Sequence, residues 1–103
     1  MLAARSPVID VRLNYAIAAA RIRGLSGRVP EATRSLEASL AEASKHGYVG
    51  YQYEVRLTLG ELEMKSGNAI SGRTRLDALE KDARARGFLL IARKASAASG
   101  THS

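Results

Sequence analysis

Residues 36–48 read LEASLAEASKHGY, and forty positions later residues 76–88 read LDALEKDARARGF. Leu36, Ala38, Ala43 and Gly47 are matched by Leu76, Ala78, Ala83 and Gly87, and the aromatic Tyr48 is answered by Phe88. Self-similarity held at one offset marks an internal repeat. Glycines at half that interval carry the pattern outward: Gly27, Gly47, Gly67 and Gly87 stand twenty residues apart. A glycine just past a helix end takes the left-handed conformation without a Cβ penalty. Four such stops predict four helices of roughly 16–18 residues with very short connections. The full period is forty, because alternate segments resemble each other and the SG at 26–27 returns at 66–67.

Apolar spacing agrees with this division. In the third segment Tyr48, Tyr51, Val55, Leu59 and Leu62 step by three and four, as one face of a helix does. A second stripe, Tyr53, Leu57, Gly60 and Met64, runs along nearly the opposite side. Two apolar faces predict a helix sandwiched between neighbours. Val8, Val11, Tyr15, Ala19 and Ile22 show the same register in the first segment. The second and fourth segments have one narrow stripe each, Ala32, Leu36, Ser39, Ala43 and Gly72, Leu76, Leu79, Ala83, so they read as outer helices packed on one side. Phe88, Ile91 and Ala95 restart the inner pattern in a fifth, shorter segment. Ser6 and Pro7 read as an N-cap and first helical residue, Pro30 and Glu31 open the second helix, and Asn68 is placed to cap the fourth.

The expected fold is all-α: an antiparallel helical-hairpin array of about five helices in a single domain. Its first repeat spans about 8–46, its second about 48–86 and a closing helix about 88–98, with 99–103 as a flexible tail. A chain of 103 residues with 46% hydrophobic but only 5% aromatic content must build its core from Leu, Ile, Val and Ala. The absence of Cys excludes disulfides, thiolate catalysis and zinc–thiolate sites. No apolar run approaches the roughly 18 residues of a membrane span, and the start lacks a signal-peptide core. A cytoplasmic protein with no membrane partner is the expectation.

The hairpins resemble the tetratricopeptide repeat. LTLGELEMKSGN at 57–68 carries that family's Leu-Gly pair as Leu59 and Gly60, and Gly67 stands at its inter-helix turn. Gly27, Ala32 and Leu36 in the first repeat, and Gly72 and Leu76 in the second, fall at turn, close-packing and large apolar positions. The forty-residue period is similar to the long-helix form in bacterial regulators of the maltose-activator type. GRTRLDALEKDARARGFLLIARKA, at 72–95, is similar to closing repeats of large bacterial winged-helix or kinase-linked proteins. The resemblance implies a right-handed α–α superhelix and a protein-binding role within a bacterial regulatory or signalling protein. Its inner helices would line a concave surface for a peptide or a partner's segment. By register the lining residues are Asn14, Ile17 and Arg21 on the first helix, Glu54, Leu57, Glu61 and Lys65 with Met64 nearby on the third, and Lys94 on the fifth. Leu57 and Met64 read equally well as core.

Catalysis finds little support. His46 adjoins a helix-ending glycine, His102 lies near the chain end, and neither has a spaced partner for metal or triad chemistry. Glu54 and Glu61 lie roughly 10 Å apart along one helix, which a solvated face explains. No glycine-rich phosphate loop is present, and no cofactor is expected.

The net charge of +6 and the pI near 10.2 raise nucleic acid as a competing partner. Many cations have helix-end duties: Arg21, Arg23, Lys45, His46, Lys65, Arg84 and Arg86 fall in last turns. Glu61–Lys65, Asp77–Lys81, Glu80–Arg84 and Asp82–Arg86 are spaced for i,i+4 pairing. Arg5, Arg12, Arg28, Arg34, Arg73 and Arg75 remain for phosphate. The first helix, apolar on more than one side, would meet a preceding repeat or a second copy of the chain through its outer face.

Overall fold

The four turn glycines end helices with φ between +71° and +94°. At each turn the residue after the glycine donates its N–H to a carbonyl five residues back. The bonds are Arg28 to Arg23 (2.9 Å), Tyr48 to Ala43 (2.9 Å), Asn68 to Glu63 (3.0 Å) and Phe88 to Ala83 (2.8 Å). This is the Schellman closure, which satisfies a carbonyl the helix end would leave open. The carbonyl of the same residue then accepts the first bond of the next helix, as Arg28 does from Ala32 and Asn68 from Gly72. One residue thus closes one helix and opens the next, and three-residue connections suffice.

The computed structural model describes residues 7–100, with side chains from Arg12 onward. Its helices are α1 (Pro7–Leu25), α2 (Val29–Lys45), α3 (Val49–Lys65), α4 (Ala69–Ala85) and α5 (Leu89–Ser99). No strand occurs among the described residues. Asn68 does occupy the N-cap position of α4, but its side chain makes no capping bond, nor do those of Arg28, Tyr48 or Phe88 at the other starts. Glycine and the Schellman bond shape these turns without a side-chain cap. Val29 precedes Pro30 as the first residue of α2, and the Ser6 cap lies outside the described residues.

Helices α1, α3 and α5 lie side by side. α2 packs against α1 and α3, and α4 against α3 and α5, while α2 and α4 do not touch. The Cα envelope measures 41 × 32 × 17 Å, so the thin dimension is two helix layers. The two apolar faces expected of α3 are both buried. Val55 and Leu59, with Tyr51 and Leu62, pack on Ile17, Ala20, Ala32 and Leu36. Tyr53 and Leu57 pack on Leu76, Leu79, Ala83 and Ile91. The single stripes of α2 and α4 are buried as expected, Ser39 included.

Gly60 and Gly72 explain the tight α3–α4 crossing. A Cβ on Gly72 would lie 2.9 Å from the Met64 nitrogen and 3.0 Å from the Gly60 carbonyl oxygen, and a Cβ on Gly60 would meet Leu76 at 2.5 Å. Ala20 and Ala32 hold the corresponding places between α1 and α2, both fully buried.

Two expectations are corrected. The α1 stripe of Tyr15, Ala19 and Ile22 is not core: Tyr15 and Ile22 are 69% and 64% exposed, and α1 buries Leu13, Ile17 and Ala20 instead. The equivalent face of α3 is covered by α1 and α2, whereas no described helix precedes α1. Val8 and Val11 fall outside the residues whose side chains are described. At the other end, Ser99 belongs to α5, not to a tail. It is fully buried, its hydroxyl donates to the Ser96 carbonyl (2.9 Å), and the Ser99 carbonyl accepts from Arg73 Nε (3.2 Å). Positions 101–103 of the expected tail lie outside the described residues.

Candidate functional site

Because α1, α3 and α5 are adjacent and repeat every forty residues, residues forty apart become lateral neighbours. Three rungs cross the face: Asn14, Glu54 and Lys94; Ile17, Leu57 and Ala97; Arg21 and Glu61. The last rung is tied directly, with Arg21 Nη1 lying 3.3 Å from Glu61 Oε1. Arg21 Nη2 also donates to Thr58 Oγ1 at 3.1 Å, and the Thr58 hydroxyl donates to the Glu54 carbonyl at 2.9 Å. Arg21 is therefore held by two partners on α3, although helix-end duty alone would account for its position in sequence. Asn14 Nδ2 donates to the Tyr51 hydroxyl at 3.0 Å, a second bridge from α1 to α3.

Three hollows meet on this face. One is bounded by Asn14, Ile17, Arg21, Tyr51, Glu54 and Phe88. The next is bounded by Arg21, Leu57, Glu61, Lys94 and Ala97. The third, of about 380 Å³, lies toward the α1–α2 turn between Arg21, Gly24, Thr58, Glu61, Leu62 and Lys65. Arg21 borders all three.

Eight of the nine residues selected by register, Asn14, Ile17, Arg21, Glu54, Leu57, Glu61, Lys65 and Lys94, line these hollows. Their depths differ. Ile17 is 9% exposed and Leu57 2%, so these two form the floor and belong to the core. Met64 packs, half-buried, against the cluster shared by α3, α4 and α5, because its place on α3 turns it toward α4. The repeat register does not select Tyr51 and Thr58, which also line the hollows. Thr58, a hydroxyl within an apolar stretch, is 3% exposed, and that polar interruption was the available signal. Tyr51 falls on the apolar stripe, but its ring length carries the hydroxyl past the core to Asn14.

Few of the arginines counted as surplus are free for phosphate. Arg12 pairs with Glu42, Arg28 with Glu31 (2.6 Å), Arg75 with Glu63 (2.9 Å), and Arg73 caps the end of α5. Arg5 lies outside the described residues, and Arg34 is exposed. The Arg28 guanidinium holds the Glu31 carboxyl below its ordinary range, first by hydrogen bonding and then by charge, with Arg34 and Arg23 adding to it. Of the four expected i,i+4 pairs, Glu80–Arg84 forms at 2.7 Å. Glu61 turns to Arg21, and Asp82 to Arg56 at 2.9 Å, since guanidinium groups on adjoining helices reach them.

His46 is exposed, with its ring 5.7 Å from that of Tyr48. No group of His, Asp and Glu among the described residues is placed to hold a metal, and no described helix is long and apolar enough to cross a membrane. Comparison with protein-family models, curated proteins and solved structures finds no match.

Proposed function

We propose that the chain is a non-enzymatic protein-interaction module of the tetratricopeptide type. Its α1–α3–α5 face receives an extended segment of a protein partner. The observation that carries this is the convergence of eight register-selected residues on three abutting hollows around Arg21. The floor is apolar, through Ile17 and Leu57, and the walls offer donors, acceptors and charges of both signs in Asn14, Glu54, Glu61, Lys65 and Lys94. That mixture suits a backbone with alternating side chains better than a single small ligand. Arg21 is already held by Glu61 and Thr58, so binding costs less side-chain ordering. In this reading the module serves a bacterial cytoplasmic regulatory protein and presents a rigid helical surface without chemistry of its own.

Nucleic acid is the competing partner, and the engagement of Arg12, Arg28, Arg73 and Arg75 within the protein weighs against it. Selection from a displayed random-peptide library tests the proposal. Selected peptides should lose at least tenfold in affinity, about 1.4 kcal/mol, with Arg21→Ala or Glu54→Ala, and little with Lys81→Ala on α4. Peptides indifferent to the groove variants would count against it. So would tight binding to random duplex that collapses between low and moderate salt.

A further inference from the structure

Helix α1 carries an apolar face that nothing in the described structure covers. Tyr15, Ile22 and Leu25 are 69%, 64% and 79% exposed, and Ala18 is exposed between them. Leu13, Ile17 and Ala20 turn the other way, into the protein. The forty-residue offset sets Tyr15, Ala19 and Ile22 against Val55, Leu59 and Leu62. In α3 those positions sit in the joint between repeats. The outer face of α1 therefore continues an interface the protein already uses, and no described element covers it.

The spacing on α1 indicates what would cover it. Large side chains at Tyr15 and Ile22 flank two small ones, Ala18 and Ala19. Turning a second α1 end over end about a point between the alanines brings Tyr15 of each copy opposite Ile22 of the other. Small residues at the centre let the helix axes approach to roughly 8–10 Å. Among the bordering cations, Arg12 pairs with Glu42 and Arg21 with Glu61, and Arg23 lies close enough to Glu31 to act on its carboxyl. Like-charge repulsion across the joint is thereby reduced. Tyr15, Ile22 and Leu25 expose roughly 400 Å² per copy, within the range of functional apolar patches. Pairing removes at most roughly 800 Å² from these side chains, below the ~1,000 Å² of a stable interface and in the range of transient contacts. An area of that size fits a weak, reversible dimer.

We propose that the protein self-associates as a two-fold dimer through antiparallel contact of α1 with α1, centred on Ala18 and Ala19. Tyr15, Ala19 and Ile22 border none of the groove hollows, whereas Ala18 and Leu25 also stand at their α1 rim, so self-association and peptide binding are measured separately.

Cysteine cross-linking of the full chain tests the geometry, since the chain has no Cys of its own. Ala18→Cys lies beside the dyad, where Cα atoms come within the ~7 Å a disulfide tolerates. It should form a covalent dimer under mild oxidation. Leu25→Cys stands roughly 20 Å from its symmetry mate at 1.5 Å rise per residue, and should cross-link at least tenfold more slowly. In sedimentation velocity the unmodified protein should show a concentration-dependent monomer–dimer equilibrium. Ile22→Glu should weaken that equilibrium at least tenfold with helical content unchanged. Ile70→Glu, at an 87% exposed position on α4, should leave it intact. A strict monomer at millimolar concentration overturns the proposal. So does a series of species larger than a dimer, the mark of head-to-tail stacking, or equal cross-linking of the two cysteine variants. Should Ile22→Glu fail to fold, the cross-linking ratio decides alone.

Discussion

Helices α1 and α3 hold equivalent places in successive repeats, and their outward stripes meet opposite fates. Val55 and Leu59 are fully buried, while Tyr15 and Ile22, forty residues earlier than Val55 and Leu62, stand largely in solvent. The difference lies in what comes before each helix. α3 follows a hairpin that offers Ala20, Ala32 and Leu36, and α1 follows no described helix. An apolar periodicity states which faces of a helix can be buried. Only a neighbour buries them.

Truncating matched positions gives the largest test of that contrast. Leu59→Ala should cost about 2–5 kcal/mol, since the fully buried side chain leaves a cavity. Ile22→Ala should stay within about 0.5 kcal/mol in dilute solution, as surface changes do. Denaturant unfolding measures both, and comparable losses would mean that the α1 face is covered even in the monomer. A smaller effect is expected where the two hairpins close. Gly72→Ala gains helix propensity, but its methyl would press on the Met64 nitrogen and the Gly60 carbonyl, which are backbone and cannot swing aside. The net cost should be about 1–2 kcal/mol. Ala32, the equivalent residue in the first repeat, already carries that methyl, so a neutral Gly72→Ala would show that the two crossings are equally wide.

The smallest effect concerns the opening of α2, where Arg28 and Glu31 form a pair that Asn68 and Ser71 cannot form at the opening of α4. The folded Glu31 carboxyl titrates below its unfolded value. Its stabilising contribution is therefore complete above the unfolded value and lost as pH falls through the folded one. The stability difference between the native protein and Glu31→Gln should be present at neutral pH and close with acidification across that window. Both residues are exposed, so added salt should shrink it. Thermal unfolding across pH checks this, and a difference that persists in acid would show that the carboxylate charge is not its source.

Much of the architecture was legible because its causes act over short distances. The glycine stops, the single stripes of α2 and α4 and the two-faced α3 all follow from steps of three, four or five residues. The lateral rungs of the groove followed from the period itself. Depth within the groove did not. Ile17 and Leu57 share a rung, and packing against residues of neighbouring helices sank both into the floor. Met64 went to the α4 side because a few tens of degrees around α3 separate groove from core. Thr58 and Tyr51 joined the site through reach and hydrogen bonding, which an apolar pattern does not record.

The ion pairs divide in the same way. Glu80 and Arg84 met as their i,i+4 spacing predicts, on the exposed side of one helix. Glu61 and Asp82 had equally good partners on their own helices but took arginines from neighbouring ones. By itself the sequence determined where helices stop, how often the hairpin recurs and which faces are apolar, since backbone conformation and helical spacing are settled among residues close along the chain. Tertiary structure alone decided which apolar face of α1 is buried, which acid takes which cation and which register positions are floor or wall. Each of those outcomes is a competition between groups far apart in the chain, and the distance between packed helices decides it.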